Sequence, residues 1–167
     1  AGAVDPDLLR EAHLRAYSEF EQVRVELDQT AAGPRQRVRS VEAACPRPLV
    51  VVDMPDQGAA EQWLRDDLAR PMRLSGSQAT GELVRAALLR FPDGRCWWFH
   101  AAHHVVADGY AAQQLLRRIA EHYDALLARA APPVSEVPAL ADVVAEDVAR
   151  AGSAAHAYEV AAWDELL

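Results

Sequence analysis

The chain has only two cysteines, Cys45 and Cys96, with no Cys-x-x-Cys spacing. That excludes a disulfide framework and a cysteine-built zinc site, and it favours a reducing compartment, the cytoplasm. No apolar run approaches the ~20 residues that cross a bilayer, and the basic-then-apolar opening of a signal peptide is missing, so the expectation is a protein neither inserted in a membrane nor secreted. Positive charge is in the minority: 17 basic residues face 25 acidic ones, giving a net charge of −8 and a pI near 5.2. The arginines are scattered, so no basic surface for nucleic acid is expected. Internal repeats are absent, and the only compositional bias is alanine.

What is present fits one globular domain. The 167 residues are 51% hydrophobic, enough for a core. Asp5-Pro6-Asp7 reads as a helix start, with Asp5 as N-cap and Pro6 in the first turn. Leu9, Ala12, His13, Ala16, Tyr17 and Phe20 then recur at helical spacing. "VRVEL" alternates, with Val23, Val25 and Leu27 on one side and Arg24, Glu26 and Asp28 on the other, which predicts a half-buried strand. "AAGPR" turns into a second strand over Gln36 to Val41, and Leu49 to Val52 predicts a third; these three could form a small sheet. Ala59 to Ala69 reads as a helix ending at Pro71, followed by a flexible polar loop, "LSGSQATG". Glu82 to Phe91, the turn "PDGR" and Cys96 to His103 form a β-hairpin pattern. A long helix starts at Gly109, its apolar side formed by Leu115, Leu116, Ile119, Tyr123, Leu126 and Leu127, and it stops before Pro132-Pro133. The remainder, from Pro138, is helical in propensity and broken near Gly152-Ser153.

The stretch "FHAAHHVVADGYA", Phe99 to Ala111, places two of the six histidines side by side, between a strand and a helix. If the strand runs through both, alternation sets His104 on the side of Trp98, His100 and Ala102, and His103 with Trp97, Phe99 and Ala101. Only one of the pair then enters a pocket. At ~3.3 Å per residue His100 and His104 lie roughly 13 Å apart, too far to share an ion, so no metal site is expected. A histidine at a strand end, next to a turn, suits a base presented at a cleft. Asp108 could orient an imidazole or lock the loop through a buried arginine pair. The bland alternative is that both histidines are satisfied by backbone and Asp108 caps the helix beginning at Gly109.

"HHVVADG", His103 to Gly109, resembles the His-His-x-x-x-Asp-Gly motif of the condensation domains of nonribosomal peptide synthetases, relatives of chloramphenicol acetyltransferase. The flanks are similar too: "VDPDLLREAHLRAYSEFEQVRVEL" matches the helix leading into the family's Leu-Arg-x-x-Phe strand, and "ARPMRL…GELVRAALLRFPDGRCWWFH" its Pro-Phe-Asp-Leu segment and hairpin. "DGYAAQQLLRRIAEHYDALL" and "ADVVAEDVARAG" with Trp163 follow the same layout. The likeness is nearest to catecholate-siderophore synthetases, and it covers nearly the whole chain.

The resemblance implies an α/β two-layer sandwich of the chloramphenicol-acetyltransferase type, with a mixed sheet and helices on one side. It implies amide formation between a donor acyl thioester and an acceptor amine, both held on phosphopantetheine arms of peptidyl carrier proteins, in antibiotic or siderophore biosynthesis; no cofactor is expected to bind directly. His104 would be the catalytic histidine, positioning or deprotonating the amine. His103, Asp108, Gly109 and Arg24 would be structural: Asp108 paired with Arg24, for which Arg85 is a rival, and Gly109 permitting a tight turn with its N–H toward the channel. His100 would be a channel wall or a satisfied polar group. Trp98 is a further channel-wall candidate, although Trp97 and Trp98 read first as core packing, and His13, His122 and His156 read as helix-surface residues.

Two departures stand out. Glu19 and Phe20 occupy the places where the family usually has Arg-His. The family's domains also have two lobes with the channel between them, and residues 1–167 correspond to the N-terminal lobe, without the C-terminal lobe, its Asp-Phe-Gly-Trp-Gly segment or the latch. The expected partners are therefore donor and acceptor carrier domains, the C-terminal lobe and an adjacent adenylation domain, and the isolated chain is expected to be inactive. Alternatives are a homo-oligomeric stand-alone acyltransferase and a noncatalytic carrier-docking lobe. A buried Asp108 pair predicts that Asp108→Ala lowers the melting temperature more than His104→Ala does; equal melting temperatures would count against such a pair.

Overall fold

The computed structural model describes residues 4–45, 47–72, 74 and 83–166. Nearly all of the loop expected at Leu74 to Gly81 lies outside the described residues.

The first helix, α1, spans Pro6–Glu19 and starts as its sequence dictates: the Asp5 carboxylate accepts from the amides of Asp7 and Leu8. Its face of Leu9, Ala12, His13, Ala16 and Tyr17 is buried, with Phe20 just beyond. The chain then departs from the strand expected over Val23 to Leu27. Glu21–Arg24 form a single 3₁₀ turn, and strand β1 begins only at Val25, running to Thr30. It pairs antiparallel with β2, Gly33–Val38, with Glu26 opposite Arg37; Gly33 at φ 103° supplies the left-handed residue at the tight connection. Val41, expected in this second strand, instead opens a one-turn helix, α2 (Val41–Ala44), capped by the Ser40 hydroxyl.

The third expected strand, β3 (Val50–Asp53), does not join β1 and β2. It runs parallel to β4 (Val84–Arg90), with helix α3 (Gln57–Ala69) between them in sequence, and β4 pairs antiparallel with β5 (Cys96–Ala102). The hairpin joining β4 to β5 is the one read from the sequence, turned at Gly94 with φ 82°.

The mixed sheet and α/β class stand as expected from the sequence. The helices are not confined to one side as expected: they flank the three-stranded sheet on both faces, because both faces of its strands carry apolar residues that need cover. Ala87, Leu89 and Phe99 pack with Ala60, Trp63 and Leu64 of α3. Alternate residues Trp98 and His100 face His13 and Tyr17 of α1. Both faces of β4 are therefore dry: Ala86, Ala87, Leu88 and Leu89 are all buried, and each buried leucine contributes about 1.5–3 kcal/mol. Helix α4 (Gly109–Leu127) packs against α1 and buries Leu115 and Ile119, although Leu127, expected on the same apolar side, is exposed. Residues 136–167 form a separate unit containing α5 (Leu140–Ala151) and α6 (Ala154–Leu166), joined by an Arg150–Glu159 ion pair. No described helix is long and apolar enough to cross a membrane.

Two of the three histidines expected on helix surfaces are core residues. His122 is buried, and His13 is 0% exposed. Their positions follow from spacing, since an element that packs on a sheet and a helix at once buries more than one stripe. The His13 Nδ1–H donates to Leu9 O at 2.7 Å, and its Nε2 accepts from the Trp98 indole at 3.3 Å. Its ring stacks on His100, with centroids 5.9 Å apart. Burial pushes His13 down to about 4, partly offset by the Leu9 bond, and burial with the adjacent His13 pushes His100 down to about 3.

Both folded-state values lie below the ordinary 6.5, so on acidification the unfolded chain takes up protons first. Stability is fully present above that pH and is lost as pH falls toward 4 and then 3. For His13 alone the loss is about 3 kcal/mol. Urea unfolding midpoints should decline steadily from pH 7 to pH 4, less so in His13→Gln; a flat profile would contradict this assignment.

Candidate functional site

Strand β5 ends at Ala102, and the motif is built on the turn that follows it rather than on the strand. The alternation expected through His103 and His104 therefore does not apply. The His103 amide donates to Leu83 O at 2.8 Å, ending the hairpin ladder, and its carbonyl accepts from the Val106 amide at 3.0 Å. The His103 ring folds back over the turn, where Nδ1 accepts from the Val105 N–H at 3.1 Å. Val106 is buried beneath. His103 thus spends both its backbone and its ring on holding the turn.

His104 is the opposite case. It sits at the turn, exposed, and makes no hydrogen bond or ion pair with any described residue. Val105, next in sequence, and Tyr110, six residues on in the first turn of α4, are also exposed, Tyr110 by 72%. His103 is engaged and His104 is not, and the division comes from turn geometry and not from strand alternation.

Asp108 follows the bland reading. Its carboxylate accepts from the Ala111 amide at 2.8 Å, capping α4, and it makes no ion pair among the described residues. The expected Arg24–Asp108 pair is not formed. Arg24 is buried at the end of the 3₁₀ turn, where its guanidinium gathers carbonyls: Tyr17 O at 2.8 Å, Ser18 O at 3.1 Å, and Arg39 O, with Glu21 at 3.9 Å. It closes the C-terminal end of α1. The rival, Arg85, does the same for α3, bonding Asp67 O and Arg70 O and lying 3.1 Å from the Asp67 carboxylate. Gly109 is the first residue of α4, and its backbone is not left-handed, so the turn does not require glycine there. A Cβ on Gly109 would meet nothing within 4 Å.

His100 is a buried polar group hydrogen-bonded through Nε2 to the Tyr17 hydroxyl, 3.0 Å away, and burial raises that hydroxyl well above its ordinary value. Trp98, 38% exposed, has its indole N–H engaged by His13.

Spacing arguments missed what holds α4. Glu19, at the end of α1, receives two hydrogen bonds from Arg118, at 2.5 and 3.0 Å, and one from His122 at 2.9 Å. Arg118 also bonds Glu121 and Pro133 O. Partial burial pushes the Glu19 carboxyl up, but the bonds from Arg118 and His122 outweigh it and hold the group below the usual range. The available signal was the acidic residue in place of the family's arginine, facing Arg118 and His122 four residues apart on one helix face.

A cavity of about 350 Å³ lies elsewhere, lined by Tyr17, Cys45, Trp63, Arg85 and Phe99 among others, and by no motif residue. Burial pushes its Cys45 thiol up to about 11, which makes it a poor nucleophile.

Comparison with known proteins places this geometry. A family model, Condensation domain, matches residues 1–167. Enterobactin synthase component F of Escherichia coli O157:H7 is 32% identical over 108 residues, 65% of this chain and 8% of that protein. A dimodular nonribosomal peptide synthase of Bacillus subtilis (strain 168) is 27% identical over 153 residues, 91% of this chain and 6% of that protein. The chain therefore spans less than a tenth of the length of these relatives. A variant of the starter condensation domain of rhizomide synthetase, solved in complex with C8-CoA, superposes with a TM-score of 0.85 at 26% identity, over 97% of this chain and 37% of that one.

The cap and the buried pair assign different chemistry to Asp108. As a cap, Asp108→Ala should cost about 1 kcal/mol and Asp108→Asn almost nothing, read from urea midpoints. A large loss in the asparagine variant would restore the ion pair.

Proposed function

The chain belongs to the condensation-domain family, and on that premise we propose that it forms the N-terminal lobe of an amide-forming condensation domain in nonribosomal peptide synthesis. The observation that carries the reading is the state of His104: an exposed imidazole with no partner among the described residues, on a turn that His103, Val106 and Asp108 hold from both sides.

The donor is an acyl or peptidyl thioester and the acceptor an aminoacyl thioester, each tethered to a carrier protein through phosphopantetheine. His104 accepts a hydrogen bond or a proton from the acceptor amine, which must be neutral to attack. The amine nitrogen bonds to the donor carbonyl carbon, giving a tetrahedral oxyanion. Collapse of that intermediate breaks the C–S bond, and the departing thiolate takes the proton that the amine gave up. Asp108 and His103 fix the turn without touching substrate. Much of the acceleration comes from holding two tethered reactants together.

His104 lies open on this lobe, so the reading requires a C-terminal lobe as the opposite wall. Donor and acceptor carrier domains and an adenylation domain are the partners, and the cytoplasm is the site of action. The acidic chain gives carrier proteins, themselves commonly acidic, no broad electrostatic attraction, so docking relies on local contacts. Selectivity among donor acids is left to the second wall and the neighbouring domains.

In the complete synthetase, His104→Ala should lower peptide formation by about a hundredfold or more while the melting temperature of the 167-residue chain stays within a degree or so. Full product formation by that variant would favour the noncatalytic docking lobe instead.

A further inference from the structure

The turn carrying His104 has two flanks, β5 entering and α4 leaving, and the last turn of α1 grips both. Tyr17 reaches β5 through His100 at 3.0 Å, and Glu19 reaches α4 through Arg118 and His122. The helix-side grip is an ion pair with several bonds. The strand-side grip is a neutral array: His100 shares a hydrogen bond with the Tyr17 hydroxyl through Nε2, stacks on His13 at 17° between planes, and stands edge-on to Trp98, whose indole N–H is held by His13. Two hydrogen bonds and the ring contacts thus join the four side chains of α1 and β5 into one cluster.

His100 precedes His104 by four residues; of the three between, Ala101 and Ala102 carry only methyl groups, and His103 ties the strand end to Leu83 O on the β4 side while leaving the α1 side to His100. A purely apolar contact at this place would tolerate sliding of β5 along α1. A hydrogen bond from a buried tyrosine to a buried imidazole tolerates much less, because slippage leaves both groups unpaired.

We propose that Tyr17 and His100 are positioning residues for His104: their hydrogen bond, with His13 stacked on the His100 ring, fixes the end of β5 and thereby the place of the His104 imidazole. The effect on catalysis rests on the reading of His104 given above, whereas the effect on its position does not.

The test has two arms. In the 167-residue chain, NMR of the His104 amide and ring reports position directly. Tyr17→Phe, which removes only the hydroxyl, should shift or broaden these signals, as should His100→Leu, while His100→Gln, whose amide oxygen can still accept from Tyr17, should leave them close to the parent. In the complete condensation domain with both carriers, Tyr17→Phe and His100→Leu should lower kcat about tenfold with KM unchanged within about twofold, and His100→Gln should recover most of that loss. Unmoved His104 signals with unchanged kcat in Tyr17→Phe, even with a lower melting temperature, would reduce the contact to a structural one and overturn the proposal. If His104→Ala keeps full activity, the catalytic reading fails, and the NMR arm still decides the positional claim.

Discussion

The last turn of α1 is the constraint on which the rest depends. A carboxylate at Glu19 and a hydroxyl at Tyr17, two residues apart, bond a helix and a strand that are tied to α1 further along by the Asp5 N–H on the Tyr123 hydroxyl and by the Trp98 indole on His13. The carbonyls at the end of that turn are in turn gathered by Arg24, so the C-terminus of α1 is closed by a side chain that arrives from the following 3₁₀ turn. Hydrophobic burial of Leu9, Ala16, Leu115 and Ile119 supplies most of the attraction between α1 and α4. The polar contacts decide the register in which that attraction is realised.

The chain contains no lysine; all seventeen of its basic residues are arginine. At the buried positions this matters. Arg24, Arg85 and Arg118 each bind two or more acceptors from a planar fork, closing a helix end or joining two helices, and an ammonium offers no such flat, divergent set of donors. The scattering of arginine that argued against nucleic acid is also the pattern of a chain that uses arginine to finish its own backbone.

Much of the fold is legible in the sequence where a local signal coincides with a local structure. Asp5-Pro6 fixes the start of α1, "PDGR" fixes the hairpin, and Asp108 with the periodicity after Gly109 fixes α4. The reading failed where a short apolar pattern had two solutions. "VRVEL" alternates like a strand, but Arg24 finds more acceptors by turning back on α1 than by staying extended. The partnership of β3 with β4 rather than β1 was not readable, since strand pairing is settled by the helices that cover the sheet. At the site, the motif and its position between a strand and a helix were legible. The reason His104 is the free one was not, because it depends on where β5 stops. Glu19 was noticed only as a departure from a pattern, and its meaning needed the far side of the contact.

The central claim is that the motif turn and the end of α1 form one mechanical unit. Native-state hydrogen exchange tests it most directly, comparing the amides of His103, Val106 and Ala111, which bond Leu83 O, His103 O and the Asp108 carboxylate, with that of Phe20, which bonds Ala16 O at the end of α1. The account predicts that the turn amides open together with Phe20, with similar free energies and similar denaturant dependence. Turn amides that exchange by a separate, low-energy opening while Phe20 stays protected would contradict it.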